Sequence, residues 1–299
     1  MSLQVDPIYE TAKAEPPTPA SQRRHRRPST MRWLILAIAS LIAAIMLSPF
    51  LLMVLNAFKS GADYSANGPL SWPEFFSVDA FYNYLSIVNF PVALWNSILI
   101  STAVAFLGTA LGLISAYAIG IGRVKGSGLI LALLLLSTML PHEALIYPLF
   151  YGAQATHTFN TVWSVIIVFT VLQAAFGTYL LASVMATVPK ELLEAAAIDG
   201  ATRWQILRRI LLPVLTPTLS VLIVFFFIWT WNEFYIPVVL LADQSSQTVP
   251  IALSTLRGQH NIDVTVLNAG SLLSLLPTLI FFLIFQRTLS HGVTAGAVK

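Results

Sequence analysis

The chain of 299 residues contains no cysteine, which excludes a disulfide framework, a thiolate nucleophile and a Cys-based zinc site. Charge is scarce. Only 10% of the residues are charged and 57% are hydrophobic, against about 25% charged in a soluble protein. That balance excludes a water-soluble core and points to a polytopic membrane protein. The net charge of +3 is small and unevenly placed, and gives nucleic-acid binding no support. No G-x-x-x-x-G-K-[ST] segment is present, so the chain has no phosphate-cradling loop of its own. Gly120, Gly122 and Gly126 have the wrong spacing for a nucleotide loop and follow no strand, so they read as a cytoplasmic turn. His142-Glu143 begins like H-E-x-x-H, but Ile146 stands where the second histidine belongs, and the metal reading fails. No G-x-S-x-G elbow occurs either, which leaves an intramembrane enzyme little support.

What remains is a set of long apolar runs. Residues 1–31 are polar, proline-rich and close on Arg23, Arg24, Arg26 and Arg27. Such a segment cannot bury enough apolar surface to offset its ordering entropy, and it is expected to be a disordered basic cytoplasmic tail. A signal peptide fits poorly, because the following apolar run is too long and lacks an A-x-A-like cleavage site. The remainder, 32–299, is expected to be one all-α integral membrane domain. Six spans are predicted at about 33–58, 92–119, 128–150, 162–186, 212–241 and 266–286, each near the roughly 20 residues that a bilayer core requires. With the amino terminus inside, fourteen Lys and Arg lie on the inner side and only Lys59 and Arg257 on the outer. That asymmetry predicts both termini in the cytoplasm.

The outer loop 59–91 is aromatic, as suits the headgroup layer. The outer loop 242–265 holds an apolar run, Val249 to Leu256, that can form a helix. Gly108, Gly112, Ala116 and Gly120 recur every four residues in span two. They lay a flat groove on one helix face, suited equally to packing within the bundle and to a second membrane subunit. Pro49, Pro141, Pro148, Pro217, Pro237 and Pro277 are expected to bend or end spans locally. Polar groups inside spans are costly and therefore candidates for function. Gln173, near the middle of span four, Trp229, which offers a stacking face, Asn232 and Glu233 are the candidate substrate path. At 1.5 Å per residue from Leu212, Glu233 lies roughly 30 Å up, near the outer interface.

The most charged interval between spans is Glu191 to Pro213, ELLEAAAIDGATRWQILRRILLP. Helix formers run to Ile198, Asp199-Gly200 makes a turn, and Thr202 to Leu211 can restart a helix. The result is a predicted helix-turn-helix across the cytoplasmic membrane face. It either seats Ala195, Ala196 and Ala197 closely in a partner's groove or is pinned to anionic lipid by Arg203, Arg208 and Arg209.

Glu194-Ala195-Ala196, then Gly200, then Ile210-x-Leu212-Pro213 resembles the EAA signature of membrane subunits of ATP-binding-cassette importers. The resemblance extends to Asn96-Ser97, Ala116-Tyr117-Ala118, Pro141, Pro148-Leu149, Trp231-Asn232-Glu233-Phe234, Thr248-Val249-Pro250 and Gly296-Ala297-Val298-Lys299. Together these are similar to the six-span permeases of carbohydrate-type importers of the maltose-system kind. The resemblance implies a permease subunit of a bacterial inner membrane, multi-pass, moving a carbohydrate or related polar solute inward by alternating access. It implies a second permease subunit, two ATPase subunits carrying ATP and Mg, and an extracytoplasmic solute-binding protein as partners, with no cofactor in this chain. The loop between spans four and five would be the coupling helix, with Glu194, Ala195, Ala196, Asp199, Gly200 and Arg203 meeting the ATPase. A polytopic membrane enzyme and a self-contained secondary transporter stand as alternatives.

Overall fold

The computed structural model describes residues 30–122, 124–256 and 263–297, with side chains up to Gln286. Most of the basic tail, Arg123, Arg257 and the Val298-Lys299 end lie outside the described residues. The described residues are helical, with no strand among them. In order they form α1 (Thr30–Ala57), α2 (Gly61–Asn67), α3 (Asp79–Ile87), α4 (Phe90–Gly120), α5 (Ser127–Ser137) and α6 (Ile146–Ala155). There follow α7 (Val162–Met185), α8 (Lys190–Ile198), α9 (Arg203–Ile206), α10 (Leu212–Asn232), α11 (Tyr235–Leu240), α12 (Val249–Thr255) and α13 (Val264–Ala297). A 3-10 turn, His142–Leu145, precedes α6, and a π-helical turn, Leu207–Leu211, joins α9 to α10. Five helices are long and apolar enough to cross a membrane, or six if a bent pair counts as one.

The bent pair is where the third expected span departs from a straight rod. Between α5 and the His142–Ala155 segment the axis turns by 94°. Pro141 has no N–H to continue the helix and forces its predecessor out of the helical region, so the chain restarts beyond it. The fifth expected span, 212–241, is also revised. Its helix starts earlier, at Arg203, and ends at Asn232. Glu233 is extended, with φ −73° and ψ 135°. The ring of Pro237 is incompatible with a helical carbonyl at Glu233, so α11 begins only at Tyr235. The apolar run from Val249 to Leu256 carries the helix α12, as expected.

The chain divides at Pro49 into two compact units, 1–49 and 50–299. In the first, residues 31–49 form a helix exposed and apolar on every face, the pattern of a segment surrounded by lipid or protein. In the second, α4 and α7 make the central pair. Their backbones approach so closely that a Cβ at Gly112 would lie 3.2 Å from the Gly177 carbonyl carbon and from the Thr178 nitrogen. A Cβ at Gly177 would meet the Phe226 ring at 3.3 Å. The small-residue row of the second span is therefore spent inside the chain, against α7 and α10. Toward one end of this pair, Ala116, Leu181, Met185, Leu211 and Leu215 form a buried cluster. A second cluster joins Tyr84 of α3, Ala93 of α4, Val249 of α12 and Ala269 of α13. The aromatic loop after α1 is held by Lys59, which is fully buried and donates from Nζ to the Gly68 carbonyl and to Ser71 Oγ, both at 2.9 Å. Trp72, Phe75 and Phe76 remain exposed.

Candidate coupling site

The charged interval folds as a two-helix elbow made entirely from local chemistry. α8 starts after Pro189 and carries Glu191 in its first turn, where a carboxylate complements the helix dipole. It ends when Gly200 takes a left-handed φ of 78°. The Gly200 N–H donates to the Ala197 carbonyl at 3.1 Å and the Ala201 N–H to the Ala196 carbonyl at 2.9 Å, the paired bonds of a Schellman stop. Two residues later Thr202 caps α9. Its N–H donates to Gln205 Oε1 at 2.7 Å, and Thr202 Oγ1 accepts from the Gln205 N–H at 3.3 Å, a capping box. The π-helical turn follows, with Leu212 N–H bonded to the Leu207 carbonyl. Pro213 cannot donate to the Arg209 carbonyl, and the ladder widens at that point.

The elbow sits on the buried cluster through Ile206, Leu207 and Leu211, with Leu193, Ala196 and Ala201 packed on it. Ala196 is half-buried, with one side packed on the cluster. The helix must bury one stripe, and Leu193 and Ala196 are three residues apart on it. Glu194, Ala195, Asp199, Gly200 and Arg203 face outward. So do Leu192, Ile198 at 86% exposure and Trp204 at 66%. Beside Gly200 runs a groove of about 320 Å³ lined by Asp199, Ala201, Gln205, Arg209 and Ile210.

The candidate path residues separate into two places. Gln173 and Trp229 line one groove of about 510 Å³ together with Ser115, Ser137, Thr138 and His142. Gln173 is buried, its Nε2 donates to Thr230 Oγ1 at 2.8 Å, and its Oε1 has no partner. Trp229 is exposed, with Phe176 and Phe225 edge-on to its ring. Asn232 and Glu233 lie at the end of α10, and each makes a local bond, Asn232 back into α10 and Glu233 to the start of α11. Asn232 Nδ2 donates to the Ile228 carbonyl at 2.7 Å, and Glu233 Oε1 accepts from the Tyr235 N–H at 3.2 Å.

Residues 108–294 match the family described as binding-protein-dependent transport system inner membrane component. The chain belongs to that family. This permease is 30% identical over 275 residues to the arabinooligosaccharides transport system permease protein AraQ of Halalkalibacterium halodurans, covering 90% of this chain and 97% of that one. It is 30% identical to the trehalose/maltose transport system permease protein MalG of Thermococcus litoralis, over 90% of this chain and 97% of the other. It is 32% identical to the trehalose transport system permease protein SugB of Mycobacterium tuberculosis, over 75% and 83%. Its fold is similar to that of a chain in the crystal structure of a bacterial transporter involved in import of the acidic polysaccharide alginate. That match has a TM-score of 0.73 at 19% identity and covers 90% of this chain and 99% of the other.

The permease's exposed apolar residues on the elbow were missed by sequence reasoning, which weighed the alanines and charges. Their signal was present: Ile198 and Trp204 flank the turn inside an otherwise charged interval. The role of Tyr117 carried no such signal. Its hydroxyl donates to the Arg203 carbonyl at 3.0 Å, across 86 residues of chain.

Proposed function

We propose that this permease imports an oligosaccharide or related polar solute by ATP-driven alternating access across a bacterial inner membrane, with both termini in the cytoplasm. Its partners are a second permease subunit, two ATPase subunits that carry ATP and Mg, and an extracytoplasmic solute-binding protein. The observation that carries this reading is the elbow itself, a preformed two-helix surface capped at both sides of its turn and seated on the bundle core. Glu194, Ala195, Asp199, Gly200 and Arg203, together with Leu192, Ile198 and Trp204, meet the ATPase. Ala196 packs one side on the bundle core. The carbohydrate class rests on the named substrates of the relatives.

Moving a two-state path from 1:99 to 99:1 takes about 5.5 kcal/mol of differential binding. An exposed ion pair from Glu194 supplies about 1 kcal/mol or less. The charges therefore orient the contact, and ATP binding does the switching through a rigid elbow. Gln173 and Trp229 contribute a hydrogen-bonding edge and a stacking face to the solute path, and Asn232 and Glu233 stand at its outer mouth. The test is a cross-linker placed at Ile198 in the membrane. Capture of an ATP-hydrolysing neighbour, and ATP-dependent uptake of arabino-, malto- or chito-oligosaccharides by the co-purified complex, are expected. Solute movement by the purified chain alone would sink the reading.

A further inference from the structure

Two short motifs at the ends of α4, Asn96-Ser97 and Ala116-Tyr117-Ala118, belong neither to the elbow's outer surface nor to the solute groove. Each fastens a different loop to the same helix. At one end, buried Asn96 donates from Nδ2 to the carbonyls of Ser245 at 3.0 Å and Gln247 at 3.1 Å. Next to it, Ser97 Oγ accepts from the Val249 N–H at 2.9 Å. The same loop is gripped from the α7 side by Asn160, which has a left-handed φ of 60°. The Asn160 N–H donates to the Leu240 carbonyl at 2.9 Å. Its Oδ1 accepts from the Asp243 N–H at 2.9 Å and the Ser246 hydroxyl at 2.8 Å, and its Nδ2 donates to the Asp243 carboxylate. At the other end of α4, Tyr117 holds the first residue of α9 through the Arg203 carbonyl. Beyond α7, buried Val188 leads directly into α8.

Between these ends the pair is stiff. Neither α4 beyond its first turn nor α7 contains proline, whereas α1, α10 and α13 each carry one inside. The two backbones touch at Gly112 and Gly177. From Asn96 to Tyr117 the helix rises about 30 Å, the depth of a bilayer core. One end of the strut therefore holds a loop whose Ala242, Asp243, Gln244 and Ser245 are exposed, and the other holds the elbow.

Resting on the importer reading above, the geometry points to α4 and α7 as one strut that joins the 241–249 loop, on the side where the solute-binding protein docks, to the elbow on the ATPase. Asn96, Asn160 and Tyr117 are its positioning residues. Docking of the loaded binding protein is reported to the ATPase because both contacts ride on one rigid pair, and slack at either fastening weakens the report. The two ends fail differently. Loosening the outer loop raises the concentration of binding protein required. Loosening the elbow lets ATP be hydrolysed without movement of the path.

The test uses the complete complex in proteoliposomes. Its solute-binding protein is charged from a mixture of arabino-, malto- and chito-oligosaccharides. Asn160→Gly keeps the left-handed backbone and the bond to Leu240 but removes the side-chain bonds to the loop. Asn96→Leu removes the two bonds to the Ser245 and Gln247 carbonyls. Both variants are expected to assemble and to keep basal ATP hydrolysis. The binding-protein concentration for half-maximal stimulation should rise about fivefold or more, the scale of one lost hydrogen bond, while the maximal rate changes little. Tyr117→Phe is expected to leave that concentration unchanged and to lower solute moved per ATP about twofold or more. A general loss of stability would instead depress basal hydrolysis, stimulation and uptake together, and Asn160→Gly alone decides the outer fastening if Asn96→Leu does not assemble. A half-maximal concentration unmoved in Asn160→Gly, or an unchanged solute-to-ATP ratio in Tyr117→Phe, overturns the strut. Failure of the unaltered complex to respond to any binding protein strikes the importer reading instead.

Discussion

Substitution at Gly200 separates backbone strain from side-chain contact at the elbow. Gly200 holds φ at 78°, and a Cβ built there has nothing within 4 Å. Any penalty therefore comes from the left-handed backbone and not from a clash. That penalty is about 1–2 kcal/mol for an ordinary L-residue, highest for a β-branched one, and small for asparagine, which tolerates the region. Effects should rank Asn, then Ala, then Val. If about 2 kcal/mol of strain is taken wholly from the formed turn, a 99:1 ratio of intact to frayed elbow falls to about 3:1. ATP hydrolysis then continues while uptake per ATP declines. The assay is phosphate release and trapped oligosaccharide, measured together in proteoliposomes for the three variants. Normal binding-protein-stimulated transport by Gly200→Val would refute the rigid-elbow argument. Equal defects in Asn and Val variants would also refute it, since they would place the cause in side-chain contact with the ATPase and not in φ.

Gly112→Val drives a side chain into the α7 backbone 3.2 Å away and should cost about 1–3 kcal/mol as overpacking. Thermal unfolding of the purified complex should show this, with Gly128→Ala, whose Cβ meets nothing within 4 Å, as the neutral control. Gln173→Ala removes the bond to Thr230 and a polar edge of the groove. The half-saturating solute concentration should rise, and unchanged affinity and rate would remove Gln173 from the path. After α1 the Asn67 hydrogen bond holds the Asp63 carboxyl below its ordinary range, partly opposed by burial and helped by the Glu74 N–H and by Lys59. A depressed carboxylate stabilises the fold above its unfolded pKa, near 4, and that contribution is lost as pH falls through the lower folded value. Hydrogen-exchange protection in residues 58–78, corrected for the intrinsic exchange rate at each pH, should therefore be steady near neutrality and fall only in acid, and Asp63→Asn should flatten the dependence.

Much of the elbow was legible from residues alone, because its chemistry is local. KELLEAAAI favours a helix, Gly200 supplies the left-handed stop, and Thr202 with Gln205 forms a cap within four positions. The long apolar runs marked the membrane helices for the same reason, since bilayer thickness sets their length whatever they pack against. Pro141 and Pro237 announced interruptions. How far each one reached was decided elsewhere, as α5 packs on α7 while α6 packs on α11 and the two halves diverge.

The sequence by itself determined the helices, their order and the turn chemistry of the elbow, all products of neighbours within a turn or of solvent polarity. Only the tertiary structure decided that Ala196 packs one side on the core, that Gln173 meets Thr230, and that Asn96 holds a loop 149 residues away. A helix that is apolar all round has no preferred face until another helix supplies one. Side-chain direction in such helices is therefore a property of the packed bundle and not of the local run.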